Sequence, residues 1–219
     1  MVKRSYQDGC AAAQALDLVG ERWGLLVVRE LTLGPRRYSD LLVSMPTIGT
    51  AVLAQRLGDL VSAGVARRRE LPPPAASTVY ELTEWGAGLE PIIRALGRWG
   101  ASSPSLRRDL PISVATAVLA LRTNVVPERL PASDLRVELR LDGRPFVAAV
   151  ADGRFAVEPG ESADAAATLT TTPETLAAIA LDGDSLDEAI ANGDVEIAGD
   201  VESARSLLAC FELPATAVA

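Results

Sequence analysis

The sequence predicts an α+β protein with two domains. Charge divides the chain: residues 1–104 carry 12 Lys or Arg and 10 Asp or Glu, a net charge of +2, whereas residues 105–219 carry 9 and 19, a net charge of −10. Helix-like segments dominate the first half, and short strand-like runs followed by helices make up most of the second. With 219 residues, each half is long enough to bury its own core.

The first half opens with two helix-like segments. Residues 11–19 are rich in alanine, which suits close helix packing, and Gly20 breaks this helix. Residues 22–33 are mostly apolar around Trp23, and Gly34-Pro35 ends the segment. Both helices are expected to contribute to the core of the first domain.

Residues 38–64 read as two further helices joined by a tight turn. Pro46 ends the first helix, Thr47 or Thr50 is expected to cap the second, and Gly64 ends it. Two short helices joined in this way describe a helix-turn-helix, whose second helix would enter the major groove of DNA. An ordinary αα-hairpin in a helical core is the alternative that these residues alone leave open.

A strand pair follows the helix pair. Residues 65–71 have strand character, residues 72–77 are a proline-rich loop, and residues 78–83 read as the returning strand. A β-hairpin directly after a recognition helix is a wing, and Arg67, Arg68 and Arg69 on it would neutralise phosphates. A solvated charge run on an edge strand is the alternative.

A last helix of the first half is predicted from residue 83 to residue 99. Its apolar stripe consists of Leu89, Ile92, Ile93, Leu96 and Trp99. The spacing does not separate packing within the domain from packing against another subunit.

Residues 10–100 resemble the HxlR family of bacterial winged-helix regulators, which are related to the MarR group. The matching features are Cys10, Gly20-Glu21-Arg22-Trp23, Gly34-Pro35-Arg36-Arg37-Tyr38-Ser39-Asp40-Leu41, Leu53-Ala54-Gln55-Arg56-Leu57, Ala63-Gly64-Val65, Tyr80-Glu81-Leu82-Thr83, Gly86 and Trp99-Gly100. The resemblance implies a homodimer, formed largely by the terminal helices of this domain, on a palindromic operator in double-stranded DNA.

The candidate DNA contacts are polar or basic residues of the helix pair and the wing. They are Arg36, Arg37, Tyr38, Ser39, Thr47, Thr50, Gln55, Arg56, Arg67, Arg68 and Arg69. Thr47, Thr50 and Gln55 are the candidates for reading bases, while Arg56 has the alternative role of bracing the fold. Gly49 departs from the family, which often has a serine at this position, so one polar DNA contact is absent.

The second half is predicted to begin with a linker at residues 101–109. The elements expected after it are a helix at 112–125, strands at 136–141, 145–151, 155–157 and 165–171, helices at 173–182 and 184–192, a strand at 194–197 and a final helix from residue 201. The domain limits are therefore 1–100 for the first domain, 101–109 for the linker and 110–219 for the second domain.

The second half resembles the sterol-carrier-protein-type domain, a sheet and helices around an apolar tunnel. The resemblance rests on Ala165-Ala166-Ala167-Thr168-Leu169-Thr170, Pro173-Glu174-Thr175-Leu176, Leu181-Asp182-Gly183 and residues 191–200, NGDVEIAGD in their most specific part. It implies an apolar ligand. Candidate ligand contacts are Leu119, Phe146, Val150, Phe155, Leu169, Leu176, Ile179, Leu186, Ile190 and Phe211, although such residues are more often simple core.

The amino-acid composition limits the kinds of site that the protein is expected to contain. The chain has no histidine, and its two cysteines, Cys10 and Cys210, do not form a metal site, so no metal, cofactor or catalytic residue is expected and the protein is not expected to be an enzyme. No apolar run is long enough to span a bilayer and no signal peptide is evident, so we expect a cytoplasmic protein without membrane contact. Cys10, with Lys3 and Arg4 near it in sequence, is a candidate redox switch or a small buried residue.

The sequence leads to three hypotheses. The first is a transcriptional regulator, expected to be a repressor, whose second domain binds a hydrophobic small-molecule effector. The second keeps DNA binding, places sensing of oxidants or electrophiles at Cys10 and makes the second domain a dimerisation or spacer module. The third is a lipid carrier with a vestigial winged helix.

Overall fold

The computed structural model describes residues 5–74 and 76–217. By the contacts that the residues make, the chain divides into two compact units, residues 1–93 and residues 94–219. The division lies within a helix, because Ile93 packs in the core of the first unit whereas Arg94 donates to the carbonyl of Arg122 in the second. It therefore differs from the domain limits of 1–100, 101–109 and 110–219 that the sequence suggests.

The first unit contains a small antiparallel sheet and helices. The helices are α1 (Ala11–Val19), α2 (Gly24–Leu31), α3 (Tyr38–Ser44), α4 (Thr50–Ser62), α5 (Glu84–Ala87) and α6 (Glu90–Ala101), the last of which runs across the division, and the strands are β1 (Arg36–Arg37), β2 (Ala66–Glu70) and β3 (Thr78–Leu82). The sheet order is β1-β3-β2, and all its pairs are antiparallel. This is a winged helix-turn-helix, as the sequence predicts.

Helix α4 is held by one apolar face. Leu53, Leu57 and Leu60 recur at helical spacing and are at most 1% exposed. They belong to one buried cluster with Val28 of α2 and Leu41 of α3. The opposite face of α4 is therefore left toward solvent.

Helix α4 passes into strand β2 through a tight left-handed turn. The N–H of Gly64 donates to the Val61 carbonyl at 3.0 Å, and the N–H of Val65 donates to the Leu60 carbonyl at 2.9 Å. Gly64 has a φ of +74°, which glycine adopts without the steric cost that other residues meet. Because no loop separates the two elements, the end of α4 fixes the start of the wing.

The predicted capping of α4 by Thr47 or Thr50 is wrong. Gly49 is the residue before the helix, with an extended backbone, and no side chain caps the helix. Thr47 is exposed in the turn, and Ile48, only 6% exposed, anchors the turn in the core. Because Ile48 fixes the turn, the helix starts at Thr50, and its first N–H groups have no side-chain acceptor.

The helix predicted from residue 83 to residue 99 is two helices, α5 and α6. Pro91 lacks an N–H and its ring collides with the carbonyl four residues earlier, so one continuous helix cannot pass this position. Thr83 caps α5 by accepting the N–H of Gly86 at 3.0 Å. Trp23, expected inside the second helix, instead lies half-buried immediately before α2, with a φ of +78°.

The second unit is a five-stranded sheet with helices. Its strands are β4 (Leu135–Leu141), β5 (Arg144–Ala151), β6 (Arg154–Pro159), β7 (Ala167–Thr171) and β8 (Glu196–Gly199), and its helices are α7 (Val114–Asn124), α8 (Pro173–Ala177), continued by a π-helical turn at Ala178–Asp182, α9 (Leu186–Asn192) and α10 (Val201–Leu208); a 3₁₀ turn lies at Pro127–Arg129. The sheet order is β6-β5-β4-β7-β8, and only the β4–β7 pair is parallel. The α+β architecture agrees with the sequence.

One face of this sheet forms the core of the second unit. Val137 and Leu139 on β4 lie opposite Ala148 and Phe146 on β5, and all four are fully buried. On the other face, Glu138 is only 3% exposed but accepts the N–H of Ser162 and the Arg140 guanidinium, each at 2.8 Å. These bonds, the first more than the second, lower the pKa of the Glu138 carboxyl and offset the cost of its burial.

Two strands of the second unit start later than the sequence suggests. The strand expected at 165–171 begins at Ala167, and the strand expected at 194–197 lies at Glu196–Gly199. In the second case the N–H groups of Asp194 and Val195 both donate to the Ala189 carbonyl, which closes the end of α9 before the strand begins.

A substitution at Gly86 tests the packing at the junction between helix α4 and the wing. A Cβ at this position would lie 1.9 Å from the Val65 carbonyl oxygen, which is backbone and cannot rotate away. We expect Gly86→Ala to lower the free energy of unfolding of the first unit by about 2–3 kcal/mol. Urea unfolding followed by tryptophan fluorescence measures this.

The matched control is Gly97→Ala, since a Cβ there meets nothing within 4 Å. This variant is expected to be at least as stable as the parent. Equal stability of the two variants would contradict the close approach of Gly86 to Val65.

Candidate nucleic-acid interface

The turn between α3 and α4 is held by a tyrosine. The Tyr38 hydroxyl donates to the carbonyl of Thr50 at 2.7 Å and thereby ties the start of α3 to the start of α4. Ser39, the next residue, is exposed and its hydroxyl contacts Asp40. Of these two predicted DNA contacts, Tyr38 orients the helix pair and Ser39 lies free on its surface.

The outward face of α4 is composed of small or uncharged residues. Thr50, Ala51, Gln55 and Gly58 are exposed, and Thr47 is exposed in the turn just before. None of them belongs to the buried cluster that holds the helix. The three residues predicted to read bases, Thr47, Thr50 and Gln55, thus lie together on the free side of the helix pair.

Arg56 has a different environment. Its side chain is only 13% exposed, and its guanidinium lies 3.2 Å from Asp59 and 3.6 Å from Glu21. The pairs connect α4 with the segment before α2, which is the bracing role left open by the sequence.

Arg36 and Arg37 lie on β1 and face different surroundings. The Arg36 guanidinium donates to the Ser44 hydroxyl at 2.9 Å and to the Asp40 carbonyl at 3.3 Å, so it supports helix α3. Arg37 is exposed and donates to the Ser77 hydroxyl at 3.0 Å. Of the two, only Arg37 is freely presented to a partner.

The three arginines of the wing do not form one basic row. Arg67 and Arg69 both donate to the carboxylate of Glu81, at 2.7 and 2.8 Å. Arg68 lies on the other face of β2, with its side chain 61% exposed and Glu70 at 3.4 Å. The wing therefore presents one loosely paired arginine and two that share a carboxylate.

Glu81 is the residue of this surface that the sequence reasoning missed. Its side chain is 11% exposed, and the hydrogen bond from Arg69, followed by that from Arg67, holds the pKa of its carboxyl below the ordinary value of 4.5. Arg67 and Glu81 are direct partners in the β2–β3 register. The alternation of β3 is visible in the sequence, but the pairing requires the register across the proline-rich loop, part of which lies at Ala75, outside the described residues.

Cys10 lies immediately before α1 and is exposed. The backbone N–H groups of Ala13 and then Ala12 at the start of that helix lower the pKa of its thiol. Cys210, in contrast, is buried, and burial raises the pKa of its thiol. Lys3 and Arg4, which the sequence places near Cys10, lie outside the described residues.

The ten apolar residues predicted to bind a ligand are mainly core. Leu119, Phe146, Val150, Leu169, Leu176, Leu186 and Phe211 are buried, while Phe155, Ile179 and Ile190 are half-buried. Phe155 and Phe211 pack edge to face with ring centres 5.0 Å apart. Small neighbours such as Ala148 are fully buried as well, so these side chains pack against one another.

Two clefts of the second unit have the size of small-molecule sites. One, of about 530 Å³, lies beside the ends of β4 and β5 and is lined by Asp134, Arg136, Asp164 and Asp200, with Val150 from the predicted set. The other, of about 550 Å³, lies beside the π-helical turn and includes Asp184, Asp194 and, from the predicted set, Ile179. The lining of the first cleft is mixed and that of the second is mainly polar, whereas the sequence predicts an apolar tunnel. Among residues 5–74 and 76–217, no cluster of metal-binding side chains and no helix able to cross a membrane is found.

Comparison with known proteins identifies the family to which the first unit is similar. The family model described as HxlR-like helix-turn-helix matches residues 18–107. The HTH-type transcriptional regulator YodB of Bacillus subtilis is 32% identical over 39% of this chain and 76% of its own length, and the uncharacterized HTH-type transcriptional regulator YvaP of the same organism is 33% identical over 39% and 80%. The chain belongs to the HxlR-like helix-turn-helix family. It is a helix-turn-helix transcriptional regulator of HxlR type, and the relatives it matches are transcriptional regulators, which are not enzymes.

Solved structures of YodB from B. subtilis are also similar to this HxlR-like chain. The reduced form is 29% identical, covers 44% of this chain and 95% of that one, and has a TM-score of 0.40. The quinone-bound form is 28% identical, covers 40% and 92%, and has a TM-score of 0.36.

The second unit of this HxlR-like regulator matches a different family from the one its sequence suggested. The model described as alkyl sulfatase C-terminal covers residues 100–217, more than half of the chain, so this part belongs to that family. The resemblance to a sterol-carrier-protein-type domain stays a prediction.

The shared carboxylate of Glu81 predicts a pH-dependent contribution to the stability of the HxlR-like domain. Because its pKa is lowered, the ionised carboxylate stabilises the folded state at pH values above the ordinary pKa of 4.5. This stabilisation is lost as the pH falls through the folded-state pKa. We expect Glu81→Gln to cost about 1–2 kcal/mol of unfolding free energy at neutral pH. The difference from the parent should shrink below pH 4.5, as urea unfolding at several pH values would show.

Glu70→Gln, on the exposed part of the same hairpin, is the control and should change stability little. A difference between Glu81→Gln and the parent that stays constant down to low pH would contradict the pairing of Glu81 with Arg67 and Arg69.

Proposed function

We propose that this HxlR-type regulator is a repressor that binds a palindromic operator as a homodimer. Helix α4 would lie in the major groove and the wing along the phosphates. The observation that carries the proposal is the free face of α4, which contributes nothing to the core, beside a wing with exposed arginine. The uncapped N–H groups at the start of α4 add a positive helix end at the same place.

The predicted contacts separate into three groups by their surroundings. Thr47, Thr50 and Gln55 are free to reach bases, and Arg37 and Arg68 are free to reach phosphates. Ser39 would add a neutral phosphate contact. The remaining residues, Arg36, Tyr38, Arg56, Arg67 and Arg69, already have partners within the protein and would position the others.

The homodimer is supported by the exposed face of α6. Ile92, Leu96 and Trp99 recur at helical spacing along α6 and are 50%, 48% and 79% exposed. Large apolar side chains grouped in this way usually mark an interaction surface. The stripe of a second copy would cover it in a two-fold symmetric interface. The resulting dimer would present two recognition helices, as a palindromic site requires.

The second unit would act as the effector domain of this regulator. Its two clefts support a small-molecule site by size. In the first cleft Asp164 already pairs with Arg136 and Asp200 caps α10, so neither presents a free carboxylate to a ligand. The alkyl sulfatase name of its family is in line with a ligand that carries an alkyl chain. An effector that weakens DNA binding must itself bind less tightly to the DNA complex.

A second candidate function places the sensor at Cys10. Its exposure and lowered pKa are the properties of a reactive thiol, and the relative YodB has been solved bound to a quinone. In this case the second unit would be a dimerisation or spacer module. A lipid carrier with a vestigial winged helix is less well supported, because the free face of α4 and the wing are intact.

Arg68 and Gln55 test the division of roles within the DNA-binding proposal. Arg68→Ala should weaken binding to specific and random duplexes by the same factor and lower the slope of log affinity against log salt by about 1. Gln55→Ala should change base preference instead, because its amide would read a base edge. Both are measured by fluorescence anisotropy on a duplex enriched from a random library and on a random duplex.

Arg154→Ala, an exposed arginine of the second unit, is the matched control and should leave both affinities unchanged. Equal losses on specific and random DNA for Gln55→Ala would count against base reading by α4.

Cys10 tests the second candidate. In Cys210→Ser, which retains Cys10, N-ethylmaleimide should alkylate the remaining thiol rapidly at pH 7, since the thiolate adds to the maleimide double bond and a low pKa increases its fraction. In Cys10→Ser, the buried Cys210 should react slowly. A sensor role further requires that alkylation change DNA affinity in the first variant only, and unchanged affinity after complete alkylation would exclude it.

A further inference from the structure

The recognition helix offers no free charge to a base. Its two charged residues, Arg56 and Asp59, lie 3.2 Å apart and pair with each other. The contact by which proteins most often specify guanine is a bidentate Arg or Lys, and the described part of α4 has none available on its outward face. The bases that this helix reads must therefore be recognised by uncharged groups.

The outward row of α4 has one long side chain between two short ones. Ala51, Gln55 and Gly58 are spaced at i, i+4 and i+7, on the side opposite the buried Leu53 and Leu57. The Gln55 carboxamide has a donor and an acceptor, which match N7 and the N6 amine of adenine. The Ala51 methyl is an apolar surface suited to the C5 methyl group of thymine.

Gly58 makes no close contact with the described residues that would require a glycine. It lies in the middle of a 13-residue helix, its φ is not in the left-handed range, and a Cβ at this position would meet nothing within 4 Å. A glycine in a helix interior costs about 1 kcal/mol relative to alanine. Gly86 is required by its close approach to Val65, whereas no described residue requires a glycine at position 58 or at position 97 of α6. Unlike Gly97, Gly58 lies on the outward row of α4, where a surface that comes close to the helix backbone would require a glycine.

We infer that α4 reads A·T base pairs at close approach. Gln55 makes a bidentate contact with adenine, the Ala51 methyl packs against a thymine methyl, and Gly58 lets the wall of the groove lie against the helix. This inference rests on the proposed function, in which α4 enters the major groove. It adds Ala51 and Gly58 to the residues that determine specificity and names the class of half-site.

The first experiment selects bound duplexes from a random library with the full-length protein. Enriched half-sites should contain A·T pairs at the positions whose preference Gln55→Ala abolishes. Replacing the thymines at those positions by uracil removes only the methyl groups and should weaken binding about three- to fivefold per contacted methyl, the effect of losing one buried methyl group. The same replacement should have no effect on Ala51→Gly, whose folding is checked by thermal unfolding.

Gly58→Ala supplies the second readout, with Gly97→Ala as control. Both variants should raise the temperature of thermal unfolding, since both glycines lie in helices with free space around them. Gly58→Ala should nevertheless weaken binding to the enriched duplex about tenfold, the size of one disrupted base-pair contact, while Gly97→Ala binds as the parent does.

Full affinity of Gly58→Ala, or half-sites with G·C pairs at the positions that depend on Gln55, would overturn the inference. Failure of the parent protein to enrich any duplex would instead overturn the proposed function, so the two failures are distinguishable.

Discussion

The approach of Gly86 to the Val65 carbonyl is the constraint on which the first unit depends. Val65 lies between the end of helix α4 and the start of strand β2, and its carbonyl also accepts the N–H of Thr83 at 3.0 Å. The Thr83 hydroxyl in turn donates to the Gly64 carbonyl at 2.7 Å. The end of the recognition helix, both strands of the wing and the start of α5 are thus joined at one point, so the free face of α4 and the wing keep a fixed relation.

On the surface proposed to face DNA, some charged side chains pair with each other within the protein and others remain available to a partner. Glu81 forms salt bridges with two of the three wing arginines, and Arg56 forms salt bridges with Asp59 and Glu21. Like-charge repulsion within the wing is reduced, and fewer cations remain for sequence-independent attraction to phosphate. In the proposed DNA complex, a protein with a net charge of −8 and few free cations on this surface would depend more on the fit of α4 to bases than on general attraction to phosphate.

The sequence predicted the elements of both units well, because their apolar spacing is regular. Leu53, Leu57 and Leu60 identify α4 and its buried face from spacing alone. Apolar spacing does not predict which residues distant in sequence pair with each other, nor where each helix or strand ends. The pairing of Glu81 with Arg67 depends on strand register, and the start of α4 depends on the anchoring of Ile48. The packing of Phe146 and its neighbours depends on how closely they fill the second core.

Native mass spectrometry of the full-length protein with a duplex enriched from a random library tests the central claim most directly. The proposed homodimer predicts a complex of two chains and one duplex, with a palindromic site in the enriched sequence, because the exposed stripe of α6 would pair with a second copy and each copy would present one recognition helix. A complex of one chain with one duplex, or a protein that remains monomeric at concentrations that saturate DNA, would contradict it.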